Sequence, residues 1–123
     1  MNWIIDKSHP ICPQICEQLC VFIAKGVLTP KSKIYSVREL AVLIGVNPNT
    51  VQKSYDQLEI QGVIYSVRGS GWYVSEDISI AKKVLEELRV KKCEVFIADM
   101  KILGLDLKNT IKFVNERFGD ISE

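Results

Sequence analysis

Four polar residues near the middle of the chain have side chains that can recognise nucleic acid. They are Asn49, Thr50, Gln52 and Lys53. Asparagine and glutamine can each pair with adenine through two hydrogen bonds, threonine can contact a phosphate or a thymine methyl group, and lysine suits a phosphate or a guanine. On an isolated helix such side chains more often form a solvated face, so their significance depends on the elements that position them.

The helix that carries these residues is predicted to begin at Pro48. Proline disrupts the interior of a helix, but at the first helical position its fixed φ is favourable and its missing N–H would have had no partner. Asn47, directly before it, is a favoured N-cap, and both residues are expected to be mainly structural. Gly62 ends the predicted helix. The apolar residues between them, at helical spacing, are Val51, Tyr55 and Leu58.

A second helix is predicted directly before the first, after a short extended piece around Ile34 and Tyr35. Ser36 and Glu39 have the spacing of a capping box, in which each side chain accepts a hydrogen bond from the other residue's amide. The helix therefore begins at Ser36 and continues until Gly45. Two short helices joined by a tight glycine turn form a helix-turn-helix, whose second helix lies in the major groove with its N-terminal residues nearest the base edges.

A β-hairpin is predicted after the two helices. Residues 63–68 and 72–75 are rich in β-branched and aromatic residues, and the GSG between them is typical of a tight turn. Arg68 makes the hairpin tip basic, and its glycines would let the backbone approach a duplex closely. Helix, turn, helix and hairpin in this order predict a winged helix, in which Tyr55 and Trp72 are expected to pack against the protein.

Further helices are predicted on both sides of this motif. Residues 9–26 carry apolar side chains at helical spacing, with Gly26 as a stop signal. Residues 78–118 are expected to form two helices, separated by Gly104 as C-cap and Asp106 as N-cap. The sequence therefore predicts a mainly α-helical fold with a small β-hairpin, a winged helix-turn-helix followed by a C-terminal two-helix hairpin.

The two C-terminal helices carry more apolar surface than they can hide from each other. The surplus is expected to meet the winged helix or another subunit. A two-fold dimer that binds a palindrome is favoured, because one winged helix offers few phosphate contacts. We predict a winged-helix DNA-binding domain at residues 1–76 and a dimerisation segment at residues 77–123. The interface candidates are Leu88, Val95, Phe96, Met100, Leu103, Leu107, Ile111 and Val114.

Composition places the chain among ordinary globular proteins. It has 123 residues, 47% of them hydrophobic and 25% charged, with a formal net charge of +1. The N-terminus lacks a basic start followed by a long apolar run, which makes a secretory signal unexpected. No apolar stretch approaches the roughly 18 residues typical of a membrane span. A cytoplasmic protein is therefore expected.

The four cysteines raise the question of a metal or redox site. Cys12, Cys16 and Cys20 lie on one stripe of the first predicted helix, and Cys93 is remote. Paired CxxC spacing is absent, and three residues on one straight helix cannot surround a tetrahedral ion. Free cysteines in a cytoplasmic protein often serve as small buried apolar groups. No metal or cofactor is expected, and a thiol- or metal-responsive regulator remains the alternative.

Catalytic chemistry has little support in the sequence. The single histidine, His9, precedes a proline, and no nucleophile–base pair is recognisable. The GSG segment lies in a predicted hairpin, whereas a phosphate-binding loop joins a strand to a helix. An enzyme is therefore not expected, and a winged-helix protein-interaction module without DNA binding remains a second alternative.

Four segments together resemble the GntR family of bacterial transcription regulators. They are AKGVLTPKSKI, SVRELAVLIGVN, NTVQKSYDQLEIQGVI and RGSGWYV. The run Asn-Pro-Asn-Thr-Val-x-Lys-x-Tyr and the Leu-Gly-Leu link between the last helices are similar to its YtrA-like subgroup. The chain departs from the family at Pro30-Lys31 and Tyr35-Ser36, where Pro-Gly and Leu-Pro are usual. Many members also carry arginines where Pro48 and Gln52 stand, so the operator of such relatives cannot be assumed here.

The resemblance implies a sequence-specific transcription regulator, expected to repress a promoter by binding a palindromic operator as a homodimer. It also implies DNA contacts from the start of the first helix of the motif and from the wing. The tail is too short for the separate effector domain of larger members, so a small-molecule effector is unknown. The expected DNA-binding residues are Ser36, Arg38, Asn47, Asn49, Thr50, Gln52, Lys53, Arg68, Gly69, Ser70 and Gly71.

Overall fold

A computed structural model describes residues 1–119 and has the predicted fold class, with five helices and one antiparallel hairpin in the described part. In chain order the elements are α1 (Ile11–Ala24), α2 (Val37–Ile44), α3 (Pro48–Gln61), β1 (Ile64–Val67), β2 (Gly71–Val74), α4 (Ser79–Ile102) and α5 (Leu107–Phe118). Residues 120–123, the end of the predicted dimerisation segment, lie outside the described residues. No helix within residues 1–119 has the length and apolarity that a membrane crossing requires.

The core of the winged helix is built around α3. This helix packs against α1, α2 and β1. One face of α3 is completely buried, as its apolar spacing predicts, while α1 contributes a second buried stripe. Burial of each large apolar side chain stabilises the fold by about 1.5–3 kcal/mol. The central side chains are Ile15, Leu19, Ile23, Leu40, Val51, Tyr55, Leu58, Val63, Ile64 and Val74.

Local signals set both ends of α1. Pro10 is the N-cap and Pro13 lies in the first turn, where a missing N–H costs no helical hydrogen bond. At the other end Gly26 adopts a φ of 78°. Its N–H donates to the Ile23 carbonyl at 3.1 Å, and the next amide donates to the Phe22 carbonyl at 2.9 Å. This pair of bonds is a Schellman motif, and it ends the helix where the glycine predicts.

The hairpin has a third extended segment beside it. In the register of the hairpin, Val67 pairs with Gly71, so each strand differs by about one residue from its predicted bounds. The Ile34 amide donates to the Trp72 carbonyl at 2.9 Å, and the Val74 amide donates to the Ser32 carbonyl at 2.9 Å. The extended piece predicted before α2 therefore lies along the free edge of β2.

Helix α4 belongs to two compact units. The first unit spans Met1–Glu87 and the second begins at Leu88. The compact winged-helix unit therefore extends beyond the predicted boundary after residue 76, because Ala81 and Leu85 are buried in its core. In the second unit, Gly104 has a φ of 91° and the Asp106 carboxylate caps α5 by accepting from the Asn109 amide at 2.9 Å. Both residues end or begin a helix as predicted.

Candidate nucleic-acid interface

The start of α3 is fixed by its own residues. The Asn47 Oδ1 accepts a hydrogen bond from the Asn49 amide at 2.8 Å, and Pro48 occupies the first helical position. Gly45 before the cap has a φ of 70°, which lets the chain turn sharply out of α2. The predicted structural roles of Asn47 and Pro48 are thereby confirmed, and the cap occupies one acceptor of the Asn47 side chain.

The polar residues of α3 lie on the face opposite the core. Asn49, Gln52 and Lys53 are exposed, whereas Thr50 is half-buried and its carbonyl accepts from the Ser54 hydroxyl at 2.9 Å. The Gln52 Nε2 donates to the Asp56 carboxylate at 2.9 Å. This contact, one helical turn further on, orients the glutamine amide before any ligand is present. Three of the four predicted α3 side chains are therefore exposed, and one of them, Gln52, is already hydrogen-bonded within the helix.

The start of α2 has the predicted capping box. The Ser36 amide donates to Glu39 Oε1 at 2.8 Å, and the Glu39 amide donates to the Ser36 Oγ at 3.1 Å. These bonds from Ser36 lower the pKa of the Glu39 carboxyl. The Ser36 hydroxyl keeps its own proton for donation to an acceptor. Arg38, in the same first turn, is exposed.

The segment before α2 is tied to α3. The Tyr55 hydroxyl donates to the Tyr35 carbonyl at 2.8 Å, and its ring packs edge-to-face on Trp72 at 5.2 Å between centroids. Burial raises the pKa of the Tyr55 hydroxyl, which keeps it a donor. Both aromatic residues therefore pack within the protein, as predicted, and together they connect α3 to the strand that supports the wing.

The wing tip is a tight turn with a basic end. The Ser70 amide donates to the Val67 carbonyl at 2.9 Å, and Gly69 between them has a φ of 78°. The Ser70 hydroxyl is hydrogen-bonded to that of Tyr73, so this side chain is held against the hairpin. Arg68 is exposed at the tip. The turn therefore presents backbone and one arginine to a ligand.

Lys33 is a basic residue near the wing that the sequence interpretation missed. Its Cε lies 3.0 Å from the position that a Cβ on Gly71 would occupy, and Gly71 has a φ of 136°. The lysine stem passes over Gly71, next to the wing tip, where this position lacks a side chain. The pairing of residues 32–34 with β2, which brings Lys33 there, has no local sequence signal.

Two cysteines of α1, Cys12 and Cys16, face α3. The Cys16 Sγ lies 3.6 Å from the Ser54 carbonyl of α3, and the Cys12 Sγ lies 3.6 Å from Gln57 Oε1. Cys20 is buried. Burial raises the pKa of Cys16 to about 12 and that of Cys20 to about 11. The packing favours the role of small buried groups, and no three metal-ligating side chains come together within residues 1–119.

The second unit leaves its apolar side chains uncovered. No residue of α5 is buried in the described part, and α4 buries only Ala81 and Leu85. Of the predicted interface residues, three are half-buried and five are exposed. The half-buried ones are Leu88, Met100 and Val114, and the exposed ones are Val95, Phe96, Leu103, Leu107 and Ile111. A single copy of the chain therefore leaves many apolar side chains of α4 and α5 exposed, as the sequence predicts.

Protein-family comparison identifies relatives of this arrangement. The family model described as bacterial regulatory proteins, gntR family, matches residues 13–74, from the first turn of α1 to the end of β2. The HTH-type transcriptional repressor YtrA of Bacillus subtilis (strain 168) is 37% identical over 119 residues, which cover 94% of this chain and 89% of that protein.

Solved structures give the same result. The GntR family transcriptional regulator from Listeria monocytogenes has a TM-score of 0.79 and 36% identity, over 91% of this chain and 98% of that one. AraR(DBD) in complex with operator ORR3 has a TM-score of 0.50 and 34% identity, over 52% of this chain and 77% of that one. The resemblance drawn from the sequence motifs is confirmed.

Proposed function

The chain belongs to the GntR family of bacterial regulatory proteins. On this basis we propose that it is a homodimeric repressor that binds a palindromic operator. It is a DNA-binding transcription regulator with a winged helix. The proposal adds the oligomeric state, the symmetry of the operator and the direction of control. Binding of chromosomal DNA also implies a cytoplasmic location, and we propose no catalytic activity for the chain.

The observation that carries the proposal is the geometry at the start of α3. Asn47 and Pro48 end the preceding turn and begin the helix, so Asn49 and Lys53 project from its free N-terminal end. The positive end of the helix dipole at this end attracts phosphate. In a helix-turn-helix this end is the one nearest the bases. The Asn49 and Gln52 amides suit adenine, so we expect A·T pairs in each half-site.

Homodimerisation is supported by the second unit. A single winged helix makes few phosphate contacts, and two copies on a palindrome double that number without any new contact type. The exposed apolar residues of α4 and α5, such as Phe96 and Ile111, provide surface for an isologous interface. Repression is supported by the YtrA relative, which is named a transcriptional repressor and matches most of both chains. A bound dimer would block the promoter that it covers.

Selection of bound duplexes from a random pool, followed by footprinting, tests this proposal with the full chain. We expect an inverted repeat with A·T pairs in both half-sites and an affinity that falls steeply as salt rises. Transcription from a promoter containing the repeat should decrease when the protein is added. Recovery of no preferred duplex would overturn the operator, and absence of any salt-dependent duplex binding would favour the protein-interaction module.

A further inference from the structure

The residues before α1 form an ordered arm, residues 4–9, which is fastened along that helix. The Ile4 amide donates to Gln18 Oε1 at 2.8 Å, and the Gln18 Nε2 donates back to the Ile4 carbonyl. One turn earlier on α1, Gln14 makes the same pair of bonds with the Asp6 backbone, at 2.8 Å and 2.9 Å. Gln14 and Gln18 therefore hold the arm through paired hydrogen bonds to its backbone, as a neighbouring β-strand would.

Within the arm, the single acidic side chain is already engaged. The Asp6 carboxylate accepts from the Ser8 amide at 2.9 Å and from the Ser8 hydroxyl at 2.6 Å, and it contacts His9 Nδ1 at 2.9 Å. The hydrogen bonds from Ser8, followed by that from His9, lower the pKa of Asp6. This local cluster turns the carboxylate towards the residues that follow it.

Lys7 projects instead to the turn between α2 and α3. Its Nζ lies 3.1 Å from the position that a Cβ on Gly45 would take. Gly45 precedes Asn47, the cap of α3, by two positions. Lys7 is exposed and has no ion pair among residues 1–119. The fastened arm therefore holds an unneutralised ammonium group beside the start of the recognition helix.

This position favours an anion. The carbonyl end of α2 attracts a cation, which accounts for part of the placement. The N-terminal end of α3, two residues further on, carries the positive end of a helix dipole, and Lys7 adds its charge to the positive potential there. A lysine that lacks an acidic partner at such a place has an available site for a phosphate oxygen.

We propose that Lys7 binds a DNA backbone phosphate next to the start of α3, so that the arm extends the DNA-binding surface beyond the helix-turn-helix and the wing. This proposal rests on the proposed function. A phosphate contact carries no sequence information, so Lys7 positions the recognition helix on any duplex and contributes equally to operator and non-operator binding.

Salt titration of Lys7→Ala tests the proposal on two probes, the selected operator and a mixed-sequence duplex of the same length. We expect weaker binding to both, with the slope of log affinity against log salt reduced by about 1 per protomer. Lys25→Ala is the matched control, because this exposed lysine lies at the opposite end of the 14-residue α1. Its slope should equal that of the wild type, and Lys7→Arg should restore the lost contact.

Lys7→Gln, which keeps the stem and removes the charge, separates binding from folding, and thermal unfolding is measured for each variant. A reduced slope at an unchanged unfolding temperature supports the phosphate contact. A wild-type slope in both Lys7→Ala and Lys7→Gln would overturn it, leaving only a capping role at Gly45. Wild-type protein that binds neither probe would overturn the proposed function itself.

Discussion

At the scale of single residues, the proposed interface is divided between side chains that build it and side chains that are free to bind. Asn47 and Ser36 use their oxygens as caps, and the Ser70 hydroxyl is held by Tyr73. Arg38 and Lys53 are exposed, and neither makes an ion pair among residues 1–119. Affinity should therefore depend mainly on the exposed cations, and stability on the caps.

Arg38→Ala and Lys53→Ala are expected to weaken operator binding without changing the free energy of unfolding. Neither charge makes an ion pair in the fold, so its removal should leave the stability unchanged. Loss of a side-chain contact to a base edge typically costs about 1–3 kcal/mol of binding free energy. Fluorescence anisotropy on a labelled operator, paired with urea unfolding, measures both effects. Wild-type affinity in either variant would remove that residue from the site.

Lys31 has a backbone conformation that is unfavourable for a residue other than glycine. It has a φ of 65°, in the left-handed region that costs an ordinary residue about 1–2 kcal/mol. This is the position where the family usually has glycine. Its ion pair with Glu76, at 3.4 Å, joins two exposed side chains and contributes little.

Lys31→Gly should therefore stabilise the protein by roughly 0.5–1 kcal/mol, the relief of strain less the extra backbone entropy of glycine. Urea denaturation measures the change. Lys25→Gly is the control, because Lys25 has a φ of −84° and gains no relief. Equal or lower stability of Lys31→Gly would show that the loop holds no such strain.

At the scale of elements, the packing of α1 against α3 connects the rest of the hydrophobic core to the helix whose opposite face carries the proposed DNA-binding residues. Cys12 and Cys16 contact α3 at Gln57 and Ser54, within two turns of Lys53. This contact therefore helps to hold the helix that carries the proposed DNA-binding residues. The same contact partly covers the Cys12 and Cys16 thiols, which are half-buried.

Thiol modification kinetics are expected to separate the cysteines into two classes. Cys93 is exposed and should react quickly with an aromatic disulfide reagent. Cys16 and Cys20 should react slowly at pH 8, because their pKa values of about 12 and about 11 leave almost no thiolate, and their rates should increase as pH rises. The double variant Cys12→Ala/Cys93→Ala isolates Cys16 and Cys20, because Cys12 is only half-buried. Fast modification in that variant, with loss of DNA binding, would instead support the thiol-sensor alternative.

At the scale of the whole molecule, the two units differ in what covers their apolar residues. The first unit buries its own core, from Ile15 on α1 to Leu85 on α4. The second unit has no buried side chain within its described residues. An amphipathic helix pair of this kind gains stability from packing against further surface, which a second copy of the chain supplies in the proposed dimer.

Ile111→Glu should convert the proposed dimer to a monomer, since a carboxylate placed in an apolar interface must be desolvated. Sedimentation velocity measures the mass, and anisotropy should show a parallel loss of operator affinity. Lys112→Glu, a larger change of charge at the next position of α5, is the control and should remain dimeric. A dimeric Ile111→Glu would place the interface elsewhere.

The sequence alone determined the ends of α2 and α3, because each is set by residues within one helical turn. Ser36 with Glu39, and Asn47 with Pro48, specify a helix start through side-chain bonds and a fixed φ that need no distant partner. The residue types that we propose to contact DNA on α3 followed from the same local signals. The exposure of Asn49, Gln52 and Lys53 also followed, because helical spacing assigns Val51 and Tyr55 to the opposite face.

Only the tertiary structure decided what depends on pairs far apart in sequence. The pairing of residues 32–34 with β2, the left-handed Lys31, and the burial of Ala81 in the winged-helix core have no local signal. Lys7 reaches the turn at Gly45 only because the arm is bound to α1 by distant glutamines. Such contacts bring residues together by chain folding, so spacing along the sequence could not predict them.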